Sequence, residues 1–199
     1  MSKKTKSTKG YSPRKVNLRE VKQRFLIVCE GKKTEPNYFR GFRVPKDIME
    51  IQGLGENPSK LVQSAKSFKE QGEYDQVWCV FDRDSWTEED FNNAIRSAES
   101  YDFKIAYSNE AFELWYVLHF EFLNSGIPRK DYRIKLTSLL GKKYEKNSLT
   151  IYDDLIEKQL CAIRNAEKLL QQYERSNPVE DNPSTTVHLL VKELNKFIA

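Results

Sequence analysis

Apolar residues fall along this chain in short unbroken runs separated by longer, helically spaced stretches. The clearest run is Phe25-Leu-Ile-Val-Cys29, five residues enclosed by Arg24 and Glu30. Continuous hydrophobicity of that length predicts a strand buried on both faces, as in a parallel sheet. Val77-Trp-Cys-Val-Phe81 is a second such run, with Lys104-Ile-Ala-Tyr107 and Ile48-Met-Glu-Ile51 as weaker ones. Between them lie helical patterns at about 36–42, 59–71 and 87–100. The second carries Leu61, Val62, Ala65 and Phe68 on one stripe and stops at Gly72. The third opens on Thr87-x-x-Asp90, a capping pattern, ahead of Phe91, Ala94, Ile95 and Ala98. Strands alternating with helices of this length predict βαβ units, here a mostly parallel four-stranded sheet with helical cover.

Beyond residue 110 the pattern is helical. Helices are expected over 111–123, with Phe112, Trp115, Leu118 and Phe122 on one side, and over 131–140, ending at Gly141. A longer one is expected over 152–173, its stripe made by Leu155, Ile156, Leu160, Ile163, Leu170 and Tyr173. Residues 176–183, rich in Asn and Pro, read as a loop. Ser184 or Thr185 is then placed to cap a last helix with Val187, Leu190, Val191 and Leu194 inward. The organisation expected is a basic arm (1–24), an α/β core (25–125) and a helical C-terminal portion (126–199) packed on it.

Composition narrows the class. The 199 residues include 11 Phe, 10 Tyr and 3 Trp, enough core material to argue against wholesale disorder. No apolar run approaches the ~20 residues of a membrane span, and the basic start has no apolar segment of the secretory kind. Three scattered cysteines, Cys29, Cys79 and Cys161, have neither disulfide parity nor metal spacing. A soluble cytoplasmic protein with reduced thiols is the expectation. The formal charge of +4 is unevenly placed. Residues 1–24 hold nine basic side chains and one acid, leaving 24 basic and 28 acidic residues beyond them. The body is therefore slightly acidic, and the arm suits either a phosphate backbone or simple solubilisation.

Acids stand where such a sheet collects chemistry, just past the carboxyl ends of strands. Glu30 follows the first strand, and Asp82-Arg-Asp84 follows the third. Alternate residues leaving a strand point the same way, so both aspartates can face one ion. Oxygen donors of this kind suit Mg²⁺ or Mn²⁺. Glu35, near a helix start, can fold back to the same place. Each acid also has a plain structural role open to it, as a solvated loop residue, a cap, or a favourable charge at a helix N-terminus. Lys33 and Arg83 flank the acids and suit a phosphate; solvated charge is the other reading. His119 and His188 read as structural.

A glutamate after one strand with an Asp-x-Asp after another resembles the Toprim domain. More narrowly, four stretches are similar to the RloB family, also called AbiLii-like. They are Ile27-Val-Cys-Glu-Gly-Lys-Lys-Thr-Glu-Pro-Asn-Tyr-Phe39, Val80-Phe-Asp-Arg-Asp84, Ser108-Asn-Glu-Ala-Phe-Glu-Leu-Trp115 with His119-Phe120, and Asn182-Pro-Ser-Thr185. The resemblance implies a Toprim-like (Rossmann-like) fold, divalent-metal binding and a place in phage defence or abortive infection beside an RloA-type ATPase. It also implies nuclease chemistry on DNA or RNA. By the same resemblance Glu30 is a metal ligand or general acid/base, Asp82 and Asp84 are metal-binding aspartates, and Glu35 is a further ligand. Glu113 belongs to the RloB pattern, either as an additional acid at the sheet edge or as a helix acid. Two other readings stay open: a non-catalytic metal- or nucleotide-binding regulatory subunit, and a phosphatase with a nucleophilic aspartate. The latter is disfavoured because its Asp-x-Asp belongs on the first strand.

Overall fold

One sheet of five strands organises the computed structural model, which describes residues 23–84 and 86–197. Nearly all of the basic arm, residues 1–22, lies outside the described residues. The strands are β1 (Phe25–Cys29), β2 (Met49–Gly53), β3 (Gln76–Asp82), β4 (Lys104–Asn109) and β5 (Ser184–Thr185), in the order β2-β1-β3-β4-β5. The first four are parallel and β5 is antiparallel to β4. Helices α1 (Thr34–Arg40), α2 (Pro58–Gln71) and α3 (Glu88–Ser100) make the crossovers. Side chains cap two of them, of which only Thr87 was expected. Asn57 Oδ1 accepts from Lys60 N at 2.8 Å, and Thr87 Oγ1 accepts from Asp90 N at 3.1 Å.

β1 and β3 are buried on both faces, as continuous apolar runs require, and alternation divides their side chains between two cores. Phe25, Ile27 and Cys29 of β1 with Trp78 and Val80 of β3 face one core. Leu26 and Val28 with Val77, Cys79 and Phe81 face the other, covered by α2 and α3. The first core is shared with α1 and the C-terminal helices α4 (Glu113–Val117), α5 (Arg129–Leu140), α6 (Ile151–Leu155), α7 (Gln159–Leu170) and α8 (Val187–Asn195). Tyr38 lies at its centre, its ring within 7 Å of those of Phe112, Trp115, Tyr116 and Tyr152.

Three expectations are corrected. The sheet has five strands rather than four. Ser184 and Thr185 have little strand character, but buried polar partners hold them on β4. Thr185 Oγ1 donates to Tyr107 O at 2.8 Å and lies 3.0 Å from Ser108 Oγ, while Ser184 Oγ donates to Asp181 O at 2.6 Å. Thr185 Oγ1 also accepts from Val187 N at 3.3 Å, so it serves the start of α8 as well.

The helix expected over 111–123 is only Glu113–Val117, because side chains take the carbonyls that would continue it. His119 Nδ1 sits 2.9 Å from Trp115 O, and Asn165 Nδ2 donates to Leu118 O at 2.8 Å. The helix expected over 152–173 breaks at a 3₁₀ turn, Ile156–Lys158, between α6 and α7. The buried stripe there is Leu155, Gln159, Ala162, Ile163, Ala166 and Leu169, while Ile156 and Leu160 are exposed. Small residues face the core because α7 packs against α4, α8 and β5 at once.

Trp115 is fully buried between Tyr38 and His119. Trp115→Ala is expected to lower stability by about 3–5 kcal/mol, read from urea unfolding. A loss under about 1 kcal/mol would show that the aromatic centre does not hold the C-terminal helices to the sheet.

Candidate functional site

Because β1 leads outward to β2 and β3 leads outward to β4, the connections part between β1 and β3. In an open parallel sheet a crevice forms at the carboxyl ends of such a pair. Glu30 continues β1 there, its N–H donating to Val80 O at 2.8 Å. Its carboxylate spans the gap to β3: Oε2 accepts from Asp82 N at 3.0 Å and Oε1 from Trp86 Nε1 at 2.8 Å. Asp82 ends β3 on the face that carries Trp78 and Val80, and is 3% exposed. Glu35 reaches the same face from the first turn of α1 and Glu113 from the first turn of α4, at 5% and 6% exposure. Glu113 Oε1 accepts from Tyr144 Oη at 3.2 Å. A Cβ on Gly31 would stand 2.0 Å from Glu35 Oε2, so glycine is what lets that carboxylate lie against the β1–α1 turn.

These four carboxylates line a cleft of about 410 Å³ together with Lys32, Lys33, Trp86, Phe112, Arg129, Lys146 and Asn147. Burial raises the proton affinity of Glu30, against the hydrogen bonds from Asp82 and Trp86. Burial, then the charges of Glu30 and Glu113, pushes Glu35 up to about 7. Asp82 is raised well above the usual carboxylate range by burial and by Glu35, Glu30 and Glu113, with Arg129 acting the other way. Glu35 Oε2 and Asp82 Oδ1 are buried and have no hydrogen-bond partner among the described residues. Carboxylate oxygens left this way are costly unless a cation or proton reaches them.

The donor set is all oxygen and fits a hard divalent ion such as Mg²⁺ or Mn²⁺. Glu35 and Asp82 have the free atoms. Among the described residues, however, no three His, Cys, Asp or Glu side chains are grouped closely enough to hold an ion as they stand. One reason is Arg129, at the start of α5, whose Nη2 lies 3.6 Å from Asp82 Oδ2 while Nη1 pairs with Asp84 Oδ2.

The other residues expected at the site divide. Lys33 lines the cleft. Asp84 has left the strand with φ +32° and faces Arg129 rather than the cleft. Arg83 turns back on its own loop, bonding Trp86 O, with its guanidinium 6.0 Å from the Phe91 ring centre. His119 and His188 are buried, and burial lowers both to about 4. Arg129, Tyr144 and Lys146 were not expected. They come from a segment remote in sequence, and nothing around them forms a motif.

A family model described as RloB-like protein matches residues 25–194. The chain belongs to the RloB-like family. The matched stretch holds every cleft carboxylate of this RloB-like chain and stops short of the basic arm. No curated protein and no solved structure matches the chain. No helix among the described residues is long and apolar enough to cross a membrane.

Glu35 sets a pH dependence. Its folded-state value of about 7 exceeds the ordinary 4.5, so between these values the folded chain binds more protons than the unfolded one. Stability therefore falls as pH rises from about 4.5 to about 7, by about 3 kcal/mol. Urea unfolding in EDTA at pH 5 and pH 8 is expected to show this, with Glu35→Gln reducing the difference. A wild-type profile flat across that window would contradict the crowding of carboxylates.

Proposed function

We propose that this RloB-like chain is a metal-dependent phosphodiesterase with a Toprim-like site, acting on DNA or RNA in phage defence alongside an RloA-type ATPase. What carries the reading is the pair of buried, unpartnered oxygens, Glu35 Oε2 and Asp82 Oδ1, in a cleft lined by Glu30 and Glu113 as well. In this reading Glu35 and Asp82 supply the free oxygens for Mg²⁺ or Mn²⁺. Glu30, already held by Trp86, stands beside them, while Asp84 joins the set only when released from Arg129. The ion supplies Lewis-acid polarisation of the phosphate and neutralises charge that develops in the displacement.

The chain's own groups do the rest. Lys33 and Lys146 at the cleft meet the phosphate oxygens. Glu30, aimed by two donors and with raised proton affinity, accepts the proton of the attacking water. Glu113, oriented by Tyr144, adds a fourth negative charge to the floor.

A non-catalytic regulatory subunit is favoured by a different observation. Both Glu30 oxygens and one oxygen each of Asp82 and Asp84 already have protein partners. A cluster so engaged suits binding of a metal or nucleotide without turnover.

The test pairs Mn²⁺ binding, by calorimetry, with cleavage of single- and double-stranded DNA and RNA in Mg²⁺ and Mn²⁺, with and without the ATPase. Asp82→Asn is expected to weaken Mn²⁺ at least about tenfold and cut cleavage by about 100-fold or more. Gly31→Ala should keep the fold, because the atom it displaces is the end of a side chain, yet weaken Mn²⁺ by moving Glu35. Mn²⁺ binding with no cleavage under any condition selects the regulatory reading. Absence of both ends the metal-site proposal.

A further inference from the structure

The acidic body holds a strongly basic segment that its overall charge conceals. Residues 128–146 contain seven basic side chains and two acids, Asp131 and Glu145, which leaves 17 basic and 26 acidic residues in the rest of the chain beyond residue 24. Tertiary contacts bring this segment to the cleft. Arg129 at the start of α5 pairs with Asp82 and Asp84, and Tyr144 bonds Glu113. At its end Asn147 is fixed to α1, accepting from Thr34 Oγ1 at 2.9 Å on Oδ1 and from Asn37 Nδ2 at 2.9 Å on its carbonyl.

The chain thus leaves the cleft at Arg129, runs out along α5, turns at Gly141 (φ +64°) and returns at Lys146. Tyr132 and Leu136 are the buried stripe of α5. Arg133 lies one turn beyond Arg129 on the same stripe as it and is exposed. Among the described residues neither Arg133 nor Lys146 makes an ion pair. Lys142 and Lys143 follow the end of α5, both exposed; Lys142 pairs with Asp154, and Lys143 is only 3.9 Å from Glu145. Exposed cations without neutralising partners repel one another, and a polyanion relieves that repulsion.

We propose that residues 129–146 form the wall along which the phosphodiester backbone flanking the reacting phosphate is held. The proposal rests on the phosphodiesterase reading for the identity of its partner, a nucleic-acid strand. The 12 residues of α5 measure about 18 Å, the length of about five phosphates along one strand. Cations at the two ends of that length and one turn in from the first match a repeating charge better than a compact ligand. The floor of the cleft is acidic and repels phosphate, so attraction must come from cations around it, and residues 129–146 bring seven of them.

The test is anisotropy of fluorescein-labelled 12-nucleotide single-stranded DNA and RNA, in EDTA, over a salt series. The full chain is compared with Arg133→Gln/Lys142→Gln/Lys143→Gln and with a control that neutralises three exposed arginines elsewhere, Arg96→Gln/Arg164→Gln/Arg175→Gln. The wall variant is expected to bind about tenfold more weakly, with a salt slope lower by about two, while the control stays within about twofold of wild type. Retained affinity in the wall variant, an equal loss in the control, or no binding by wild type overturns the proposal. So does binding of poly-glutamate as tight as that of the oligonucleotides, which would assign the wall to an acidic protein. Because the assay needs neither metal nor cleavage, the two readings fail separately. Wall-dependent binding without hydrolysis by wild type sinks the phosphodiesterase alone.

Discussion

Parallel pairing of β1 with β3, with their connections leaving in opposite directions, is the constraint on which the charged architecture depends. It leaves the carboxyl ends of two adjacent buried strands uncovered by a crossover. Glu30 closes that gap from one strand to the other by accepting the Asp82 N–H. Without that bond the last residue of β3 would lose a ladder partner on one side, and Asp82 would have no fixed direction. With it, Asp82 is held on the face where α1 delivers Glu35 and α4 delivers Glu113.

A cluster of this kind is unfavourable for the protein alone. Four carboxylates share a site that burial makes hostile to charge, and the cations nearest them, Arg129 and Lys146, only partly offset it. Arg129 holds Asp84 outside the cleft and one oxygen of Asp82 within it. The same α5 that contributes Arg129 carries the exposed basic wall. In the proposed reading one helix joins the acidic floor, which would hold a metal ion, to the surface that would meet the flanking phosphates. In that reading function and stability oppose each other: the carboxylates that raise the cost of folding at neutral pH are those a divalent ion would need.

The parallel strands and their crossover helices were legible because each is decided locally. Phe25–Cys29 and Val77–Phe81 are too short and too apolar to be anything but buried strand, and Thr87 announces the helix it caps. The C-terminal half was less legible. The carbonyls of Trp115 and Leu118 are taken by His119 and by Asn165, and no periodicity records a side chain that arrives from another helix. Leu160 looked inward because it is large and apolar, yet three neighbours close together demanded Ala162 and Ala166 in its place. Ser184 and Thr185 became a strand through hydroxyl bonds to β4 that propensity does not register.

The sequence by itself determined the strand-end acids, because the position of an acid after a buried run follows from chain order alone. It also placed Glu30, Glu35 and Asp82 on neighbouring ends of one sheet. Only the tertiary structure decided that Glu113 joins them, that Asp84 turns to Arg129, and that Arg83 faces away. It decided too that further basic residues beside the cleft come from 129–146, a hundred residues from Glu30 and about fifty from Asp82. The physical reason is the range of the forces. Burial and backbone hydrogen bonding act along a few residues and leave a pattern in the chain, whereas charge acts through space and is arranged by packing.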